Sequence, residues 1–492
     1  MSAAPGKLAV CLLSSEVAPL SKTGGLGEVA HALAKHLHAA GHDARIFTPL
    51  YSSIPRAGLA LRPVAQLQQV PLAVGARALA FSVFEAPLPG AGAARVFLID
   101  CPELYARASL YTTDPDEHVR FIAFTRAVFV SCVLLKWTVQ ILHCNDWHTA
   151  FGPLFLGTEY GRTAQFAQAR TVLTIHNIGY QGIFPAADIA DLDLPAGDER
   201  LLQADDLAAG RINALRHGIL YADAITTVSP THAREICTDQ YGMGLEDSLR
   251  ARAGALTGIL NGVDYDEWDP RRDRFLPLHY DPEHLARKAE LKRQFLARTR
   301  FGTAPEVPLA GIVSRLAAQK GIELMFDALP KVLAARPLAL AALGSGEAKY
   351  ERFFAGLARS FPGRVVFESG YDEELSHWIE AASDLFLMPS RYEPSGLNQM
   401  YSLRYGTVPV VRRTGGLADS VEHYDAASGR GTGVVFNDFD APALEWALGF
   451  ALDLYGQPAH WSRMMRNGMS QDFSWQRATS LYLDVYRRLI PA

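Results

Sequence analysis

Short apolar runs and amphipathic stretches take turns along the whole chain. Residues 8–13 (Leu-Ala-Val-Cys-Leu-Leu) predict a strand. The next periodic stretch puts Val29, Leu33 and Leu37 on one helical face, with Gly41 where a C-cap belongs. Further strands are predicted at 44–48, 96–99, 139–143, 171–175 and 224–228. After position 300 the rhythm resumes, with strands at 308–313, 338–343, 365–368, 385–388 and 408–411 and helical patterns between them. Regular β-then-α alternation predicts parallel sheets covered by helices, hence the α/β class. Two such sets fit two Rossmann-like domains better than one giant sheet. The segment 258–305 interrupts the rhythm with Asn261-Gly262, Asp269-Pro270 and Asp281-Pro282, then a charged helix over 283–300. The crossing between domains is therefore expected near 255–262. Thr23-Gly24-Gly25-Leu26-Gly27-Glu28 is echoed by Thr414-Gly415-Gly416-Leu417-Ala418-Asp419, in keeping with a two-fold arrangement. There is no solenoid repeat and no low-complexity segment.

Composition narrows the field. A chain of 492 residues, 49% apolar and 20% charged, has material for several cores and is not a disordered protein. Lys and Arg number 47 against 52 Asp and Glu, a net charge of −5 with no basic run, which excludes a nucleic-acid footprint. The five cysteines, at 11, 101, 132, 144 and 237, include no Cys-x-x-Cys pair. Reduced thiols in a cytoplasmic protein are expected, without a disulfide framework or a zinc knuckle. The first apolar run is too short for a signal-peptide core. The richest one, 127–142, is broken by Ser131 and Lys136 and falls short of the roughly 20 apolar residues a membrane span needs.

Ligands of open parallel sheets bind beyond the carboxyl ends of the strands, so the polar loops there hold the candidate chemistry. Ser21-Lys22-Thr23-Gly24-Gly25-Leu26 combines two glycines, a cation and a following helix N-terminus. It is a phosphate cradle or a plain βα turn with a solvated lysine. Arg315 and Lys320, five apart after the strand at 308–313, form a pyrophosphate clamp or surface ion pairs. In Pro389-Ser390-Arg391-Tyr392-Glu393-Pro394-Ser395-Gly396-Leu397, Glu393 accepts sugar hydroxyls beside a helix N-terminus, or the stretch is only a cap and a turn. His176-Asn177-Ile178-Gly179-Tyr180-Gln181-Gly182 offers sugar-type hydrogen bonds around a histidine that is otherwise structural. Asn145-Asp146-Trp147-His148 joins a carboxylate to an aromatic face that suits a sugar ring or the core. His143, Cys144 and His148 match no standard metal spacing. The Asp-x-Asp triplets at 191–193, 264–266 and 438–440 read as solvated loop acids, and His31, His38 and His42 as a solvated face.

Taken in order, these motifs resemble the bacterial glycogen synthases of the ADP-glucose type and the catalytic core of plant starch synthases. The resemblance runs through Lys-Thr-Gly-Gly-Leu, Asp-Trp-His, His-Asn-x-x-Tyr-Gln-Gly, Asn-Gly-Val-Asp-x-x-x-Trp-Asp-Pro at 261–270 and Ser-Arg-Leu-x-x-Gln-Lys-Gly. It continues in Pro-Ser-Arg-Tyr-Glu-Pro-x-Gly-Leu and Arg-Arg-Thr-Gly-Gly-Leu-Ala-Asp at 412–419, and so covers almost the whole chain. It implies a GT-B fold, two Rossmann-like domains facing a deep cleft, with a C-terminal helix crossing back to the N-terminal domain. The expected division is then 1–257 plus 474–492 against 258–473, with Trp475, Leu481, Tyr482, Val485 and Leu489 docking the last helix.

The implied reaction is retaining transfer of glucose from ADP-glucose to the non-reducing end of an α-1,4-glucan such as glycogen, releasing ADP. By the same resemblance Lys22, Arg315 and Lys320 contact the diphosphate, with Gly24 and Gly25 in the entry loop. Glu393 binds the donor glucose, and the backbone of Ser395, Gly396 and Leu397 completes the cradle. His176, Asn177 and Asn261 lie near the donor sugar, Asp146 lines the acceptor side, and Tyr371 stacks near the adenine. No metal or other cofactor, no nucleic acid and no membrane is implied. The chain begins close to its first strand and predicts no appended starch-binding domain. Three departures stand out: Glu28 where the family usually has Asp, Ser395 where bacterial relatives often have Cys, and Tyr401 where the wider superfamily often has a second Glu. UDP-glucose as donor, a small-glucoside product and a glucan-binding scaffold without turnover are the alternatives.

Overall fold

A computed structural model describes residues 6–56, 58–299 and 301–490. Positions 1–5 and 491–492 of the expected first domain, and position 300 of the expected charged helix, lie outside them. The chain divides into two units. One runs to Val228, takes in Ala233–Ile259 and ends with the segment from Trp475; the other comprises Ser229–His232 and Leu260–Ser474. The tetrapeptide Ser229–His232 departs from the expected division, and its own bonds give the reason. Ser229 Oγ donates to the Pro394 carbonyl (2.7 Å), and Thr231 donates through its amide and hydroxyl to Asp419 (2.7 Å each).

Among the described residues the first unit is built on a ten-stranded sheet. Its parallel part runs Leu256–Gly258, Ala224–Thr227, Arg170–Ile175, Ile141–Asn145, Ala9–Leu13, Asp43–Pro49 and Arg95–Asp100. These strands are covered on both faces, and runs such as Val10–Leu13 are almost wholly buried, which is why they read as continuous apolar stretches. The strand expected at 139–143 is shifted to Ile141–Asn145. Its ladder with Ala9–Leu13 begins at Ile141 opposite Val10, while the Val139 amide donates outside the sheet to Gln165. Beyond Arg95–Asp100 the sheet continues antiparallel through Arg77–Pro87, which pairs on its far side with the edge strands Arg62–Pro63 and Val70–Val74. No β–α rhythm announces them.

The apolar stretch 127–142 resolves into the end of helix Glu117–Leu134, a loop and the start of a strand. No helix among the described residues is long and apolar enough to cross a membrane.

The terminal helix Trp475–Leu489 belongs to the first unit. Trp475, Tyr482 and Val485 are buried in its core and Leu489 packs partly against it, but Leu481 is exposed. Position 481 falls on the outer side of the helix, so Leu481 is not a docking residue. Tyr486 Oη meets His143 Nδ1 at 2.7 Å, and His143 Nε2 meets Thr174 Oγ1 at 2.6 Å. Nδ1 of this buried histidine thus fastens the helix and Nε2 bonds a neighbouring strand, so both ring nitrogens have hydrogen-bond partners.

The second unit has a six-stranded parallel sheet among the described residues, in the order Val365–Ser369, Ala339–Gly344, Leu309–Val313, Leu385–Met388, Val408–Arg412, Val434–Phe436. Alternate side chains feed two separate cores. Ile312, Leu340, Leu385, Leu387 and Val410 enter one; Leu309, Ala341, Leu343, Phe386 and Val411 enter the other.

In each sheet the strand order reverses at one place. In the first unit this lies between the neighbours Ala9–Leu13 and Ile141–Asn145; in the second it lies between Leu309–Val313 and Leu385–Met388. Loops leaving the carboxyl ends of such a pair diverge and open a crevice.

Candidate active site

The first unit's crevice is framed by the loops after Leu13 and Asn145. Glu16, 2% exposed, organises the former. Its carboxylate accepts from the Thr23 amide and hydroxyl (2.6 Å each), from the Gly24 amide (3.4 Å) and from Tyr111 Oη (2.6 Å). Lys22 is thereby presented beside the start of helix Gly25–Ala39, where it pairs with Glu28. Both partners of that pair are well solvated, so the bond restrains Lys22 only weakly. A Cβ on Gly24 or Gly25 would meet no heavy atom within 4 Å, so the space beside both is open.

Asp146 sits at a left-handed φ of +53°, an unusual conformation for a side-chain-bearing residue. Its amide donates to the Thr174 carbonyl (2.9 Å). Its Oδ1 accepts from the amides of His176 (2.7 Å) and Asn177 (3.3 Å). Burial pushes the Asp146 carboxyl up to about 7, against the lowering effect of those two donors. The Asn145 amide nitrogen donates to the Leu13 carbonyl (2.9 Å), which turns its oxygen toward His176 Nε2 (2.9 Å). His176 therefore donates through Nε2, and burial, which holds its pKa near 3, keeps the ring neutral. Nδ1 is left with the lone pair, suited to a hydroxyl donor. Asn177 Oδ1 closes the next turn on the Gly179 amide (3.0 Å). Gly182, at φ +61°, leaves room that the Trp147 ring fills; a Cβ there would strike it. His148 is buried, stacked on Tyr111 and tilted against Trp147.

In the second unit the loop after Val313 carries Arg315 and Lys320, and the loop after Met388 carries Glu393. Lys320 Nζ lies 2.6 Å from Glu393 Oε2, which also accepts from Ser390 Oγ (3.0 Å). Glu393 is 5% exposed. Arg315 is exposed and forms no ion pair with the described residues. The two loops touch closely: a Cβ on Gly321 would run into the Pro389 carbonyl. Gly415 and Gly416 press on the loop from beneath. The Gly416 amide donates to the carbonyls of Glu393 (3.0 Å) and Pro394 (3.2 Å), and a Cβ on either glycine would strike the carbonyl of Glu393 or Ser395. Gln399, on the first turn of helix Asn398–Tyr405, donates to the carbonyls of Ser395 and Gly396 (3.0 Å each) and to Ser420 Oγ (3.1 Å). Those bonds set the turn of Ser395, Gly396 and Leu397 just ahead of the helix. Asn261 is buried, and its side-chain oxygen has no hydrogen-bond partner among the described residues. Tyr371, 72% exposed, borders a cavity of about 440 Å³ lined also by Arg298, Leu343, Ser369 and Asp372. Tyr401, at the position of the wider superfamily's second Glu, stacks on Trp268 (ring centroids 4.0 Å apart).

The predicted site residues divide between the units: Lys22, Gly24, Gly25, Asp146, His176 and Asn177 in the first, then Asn261, Arg315, Lys320, Tyr371, Glu393 and Ser395 to Leu397 in the second; hydrogen bonds join Asp146 to the His176 and Asn177 amides, and Lys320 to Glu393. Glu16 and Gln399 have no place among the candidate residues read from the sequence, and Asn145 and Ser390 appear there only as members of quoted motifs. Glu16 and Asn145 carried a usable signal, being polar residues directly at strand ends. The loop acids are less idle than expected: Asp193 accepts from the Gly75 amide, Asp191 pairs with His118, and Asp440 caps helix Ala441–Tyr455. His42 is buried and bonded to the Leu8 amide, so it is not part of a solvated face.

A family model of starch synthase catalytic domains matches residues 9–251, and one of group 1 glycosyl transferases matches 296–467. The chain is 44% identical over 487 residues to the glycogen synthase of Anaeromyxobacter dehalogenans (strain 2CP-1), covering 98% of this chain and 99% of that one. The chain belongs to the glycogen synthase family. It is also 42% identical over 494 residues to the glycogen synthase of Thioalkalivibrio sulfidiphilus, covering 98% of this chain and 99% of the relative. Its fold matches the catalytic domain of Arabidopsis thaliana starch synthase IV, solved bound to ADP and acarbose, with a TM-score of 0.90 and 32% identity over 99% of this chain and all of that one. Sucrose-phosphate synthase of Thermosynechococcus elongatus shares the fold alone (TM-score 0.63, 17% identity, 98% of this chain and 99% of that one). The architecture is therefore GT-B, and the protein is a glycosyltransferase of the glycogen/starch synthase type.

Proposed function

We propose that this glycogen synthase family member transfers glucose from ADP-glucose to the non-reducing end of an α-1,4-glucan with retention of configuration. The observation that carries the reading is the Lys320–Glu393 pair, 2.6 Å apart where the strand order of the second sheet reverses. A cation for the leaving diphosphate and a carboxylate for sugar hydroxyls stand side by side there. Arg315 adds a bidentate donor and the amides around Leu397 a helix-start anion site; in the first unit, Lys22 and the amides around Gly24 offer the same chemistry. ADP in the Arabidopsis thaliana structure supports adenine as the base, beside Tyr371. The five free cysteines, four of them buried, support a reducing, cytoplasmic setting.

As the anomeric C1–O bond breaks, negative charge builds on the diphosphate, where Lys320 and Arg315 stabilise it. The acceptor O4 forms the new bond to C1 on the same face, and its proton passes to the departing phosphate oxygen. Same-face substitution is favoured because Glu393 is engaged by Lys320 and Ser390, and Asp146 by two amides, so neither carboxylate is poised as a nucleophile. His176, neutral with Nδ1 as acceptor, orients a sugar hydroxyl. This pathway routes no step through a metal.

The test is incorporation of labelled glucose into precipitable glycogen from ADP-glucose and from UDP-glucose, with Glu393→Ala as control. Strong ADP-glucose incorporation that falls at least about 10²-fold in the variant is expected. Labelling only from UDP-glucose overturns the donor. Glucan binding without labelling from either donor overturns turnover itself, and a glucosylated Asp or Glu caught by rapid quench overturns same-face substitution.

A further inference from the structure

We propose that Glu267, Glu373 and His377 hold a divalent transition-metal ion that clips the segment around Trp268 to helix Glu373–Ala382. One ligand atom from each of the three residues lies within 4.8 Å of the other two. Glu373 and His377 are one turn apart on the helix and so share a face; Glu267 comes from the 261–270 segment. An ion about 2.1 Å from each donor needs donor separations of about 3.4 Å, a closure of little more than 1 Å.

The buried histidine points to the ligand independently of the acids. His377 is 0% exposed, and its Nδ1 lies 2.7 Å from Asp273 Oδ2. An ionised carboxylate only accepts, so Nδ1 donates and Nε2 carries the lone pair. Nε2 is buried and has no hydrogen-bond partner among the described residues. Metal-binding histidines typically present this arrangement, the far nitrogen fixed by a carboxylate and the near one waiting for a cation. Asp273 is itself held by the Phe275 amide (2.9 Å) and Tyr405 Oη (2.5 Å). The imidazole plane is set by Trp268, stacked at 3.7 Å. Arg274 engages Oε1 of Glu373 at 3.0 Å, which leaves Oε2 for the ion.

One imidazole and two carboxylates suit Zn²⁺, Mn²⁺, Fe²⁺ or Co²⁺ better than Ca²⁺ or Mg²⁺, which take all-oxygen sets. The clip would tie together the two segments that carry Asn261 and Tyr371, and no step of the proposed transfer runs through it.

The experiment titrates chelator-stripped full-length protein with Zn²⁺ by calorimetry and with Co²⁺ by visible absorption, and follows Tm with and without Zn²⁺. One equivalent is expected to bind and raise Tm. Glu373→Gln and Glu267→Gln, both on the protein's outer side, are each expected to weaken binding at least about 10-fold and to abolish the Tm rise. His377→Ala is expected to remove binding altogether, but its buried position makes the two glutamine variants the decisive ones. No binding by the wild type, or binding that both glutamine variants retain in full, overturns the proposal. Neither result depends on glucan synthesis.

Discussion

Thr23-Gly24-Gly25-Leu26 and Thr414-Gly415-Gly416-Leu417 spell the same four residues, and both open a helix after a parallel strand. Around Gly24 and Gly25 the space beyond the missing side chains is empty of protein. Around Gly415 and Gly416 it is filled by the backbone of Glu393 to Ser395. One glycine pair leaves open space; the other leaves room for the loop that carries Glu393. The supports differ as well. The first unit's loops hang on buried carboxylates, Glu16 and Asp146, whereas the second unit's loop rests on close backbone packing. Identical motifs therefore predict different failures.

Gly415→Ala should have the largest effect. Its φ of +43° disfavours a side chain, and the new Cβ meets the Glu393 carbonyl. The expected cost is about 1–3 kcal/mol in stability by overpacking, seen as a lower denaturation midpoint. Activity should fall by about 10²-fold or more as Glu393 is displaced. Near-wild-type activity would mean the two glycine pairs are interchangeable.

Gly24→Ala should leave the midpoint within about 0.5 kcal/mol of wild type, because nothing in the protein is touched. Its effect should fall on substrate: about a tenfold loss in kcat/KM for the nucleotide sugar, or about 1.4 kcal/mol. A stability loss with unchanged kinetics would assign that space to the fold instead.

A third prediction separates the supports by pH. Burial raises Asp146 from an unfolded value near 4 to about 7, so between those values the folded state binds the proton that the unfolded state has lost. Its contribution is therefore present at low pH and lost as pH rises toward 7. Neutral burial of His176 acts oppositely, its folded pKa near 3 lying below the unfolded 6.5, and adds stability as pH rises through that window. Asp146→Asn keeps an oxygen for the His176 and Asn177 amides but cannot titrate. Stability of the variant relative to wild type should therefore increase from pH 4 to 7, by at most about 1.4 kcal/mol per pH unit. A flat difference would place the Asp146 carboxyl in a less buried setting.

The strands buried on both faces were legible because burial writes a continuous apolar run; 385–388 reappears unchanged as Leu385–Met388. Val70–Val74 and Arg77–Pro87 belong to the antiparallel end of the sheet, with exposed and buried positions mixed, and carry no such signal. The chemistry-bearing loops were legible as motifs, since a strand end followed by glycine and charge is a local pattern. The partners of those residues were not. Glu16 meets Tyr111 from 95 residues away, and Asn145 meets the Leu13 carbonyl from 132. Leu481 shares the helix of Tyr482 and Val485 yet faces outward.

What the sequence alone determined, then, is local: the order of strands and helices, the loops that bear cations and carboxylates, and the family those motifs spell. Only the tertiary structure decided which glycine pair stays open, which carboxylates serve as scaffolding, and which nitrogen of His176 is left to accept a bond. Periodicity and motif spacing are properties of neighbours along the chain, whereas open space, burial and hydrogen-bond pairing depend on segments that only folding brings together.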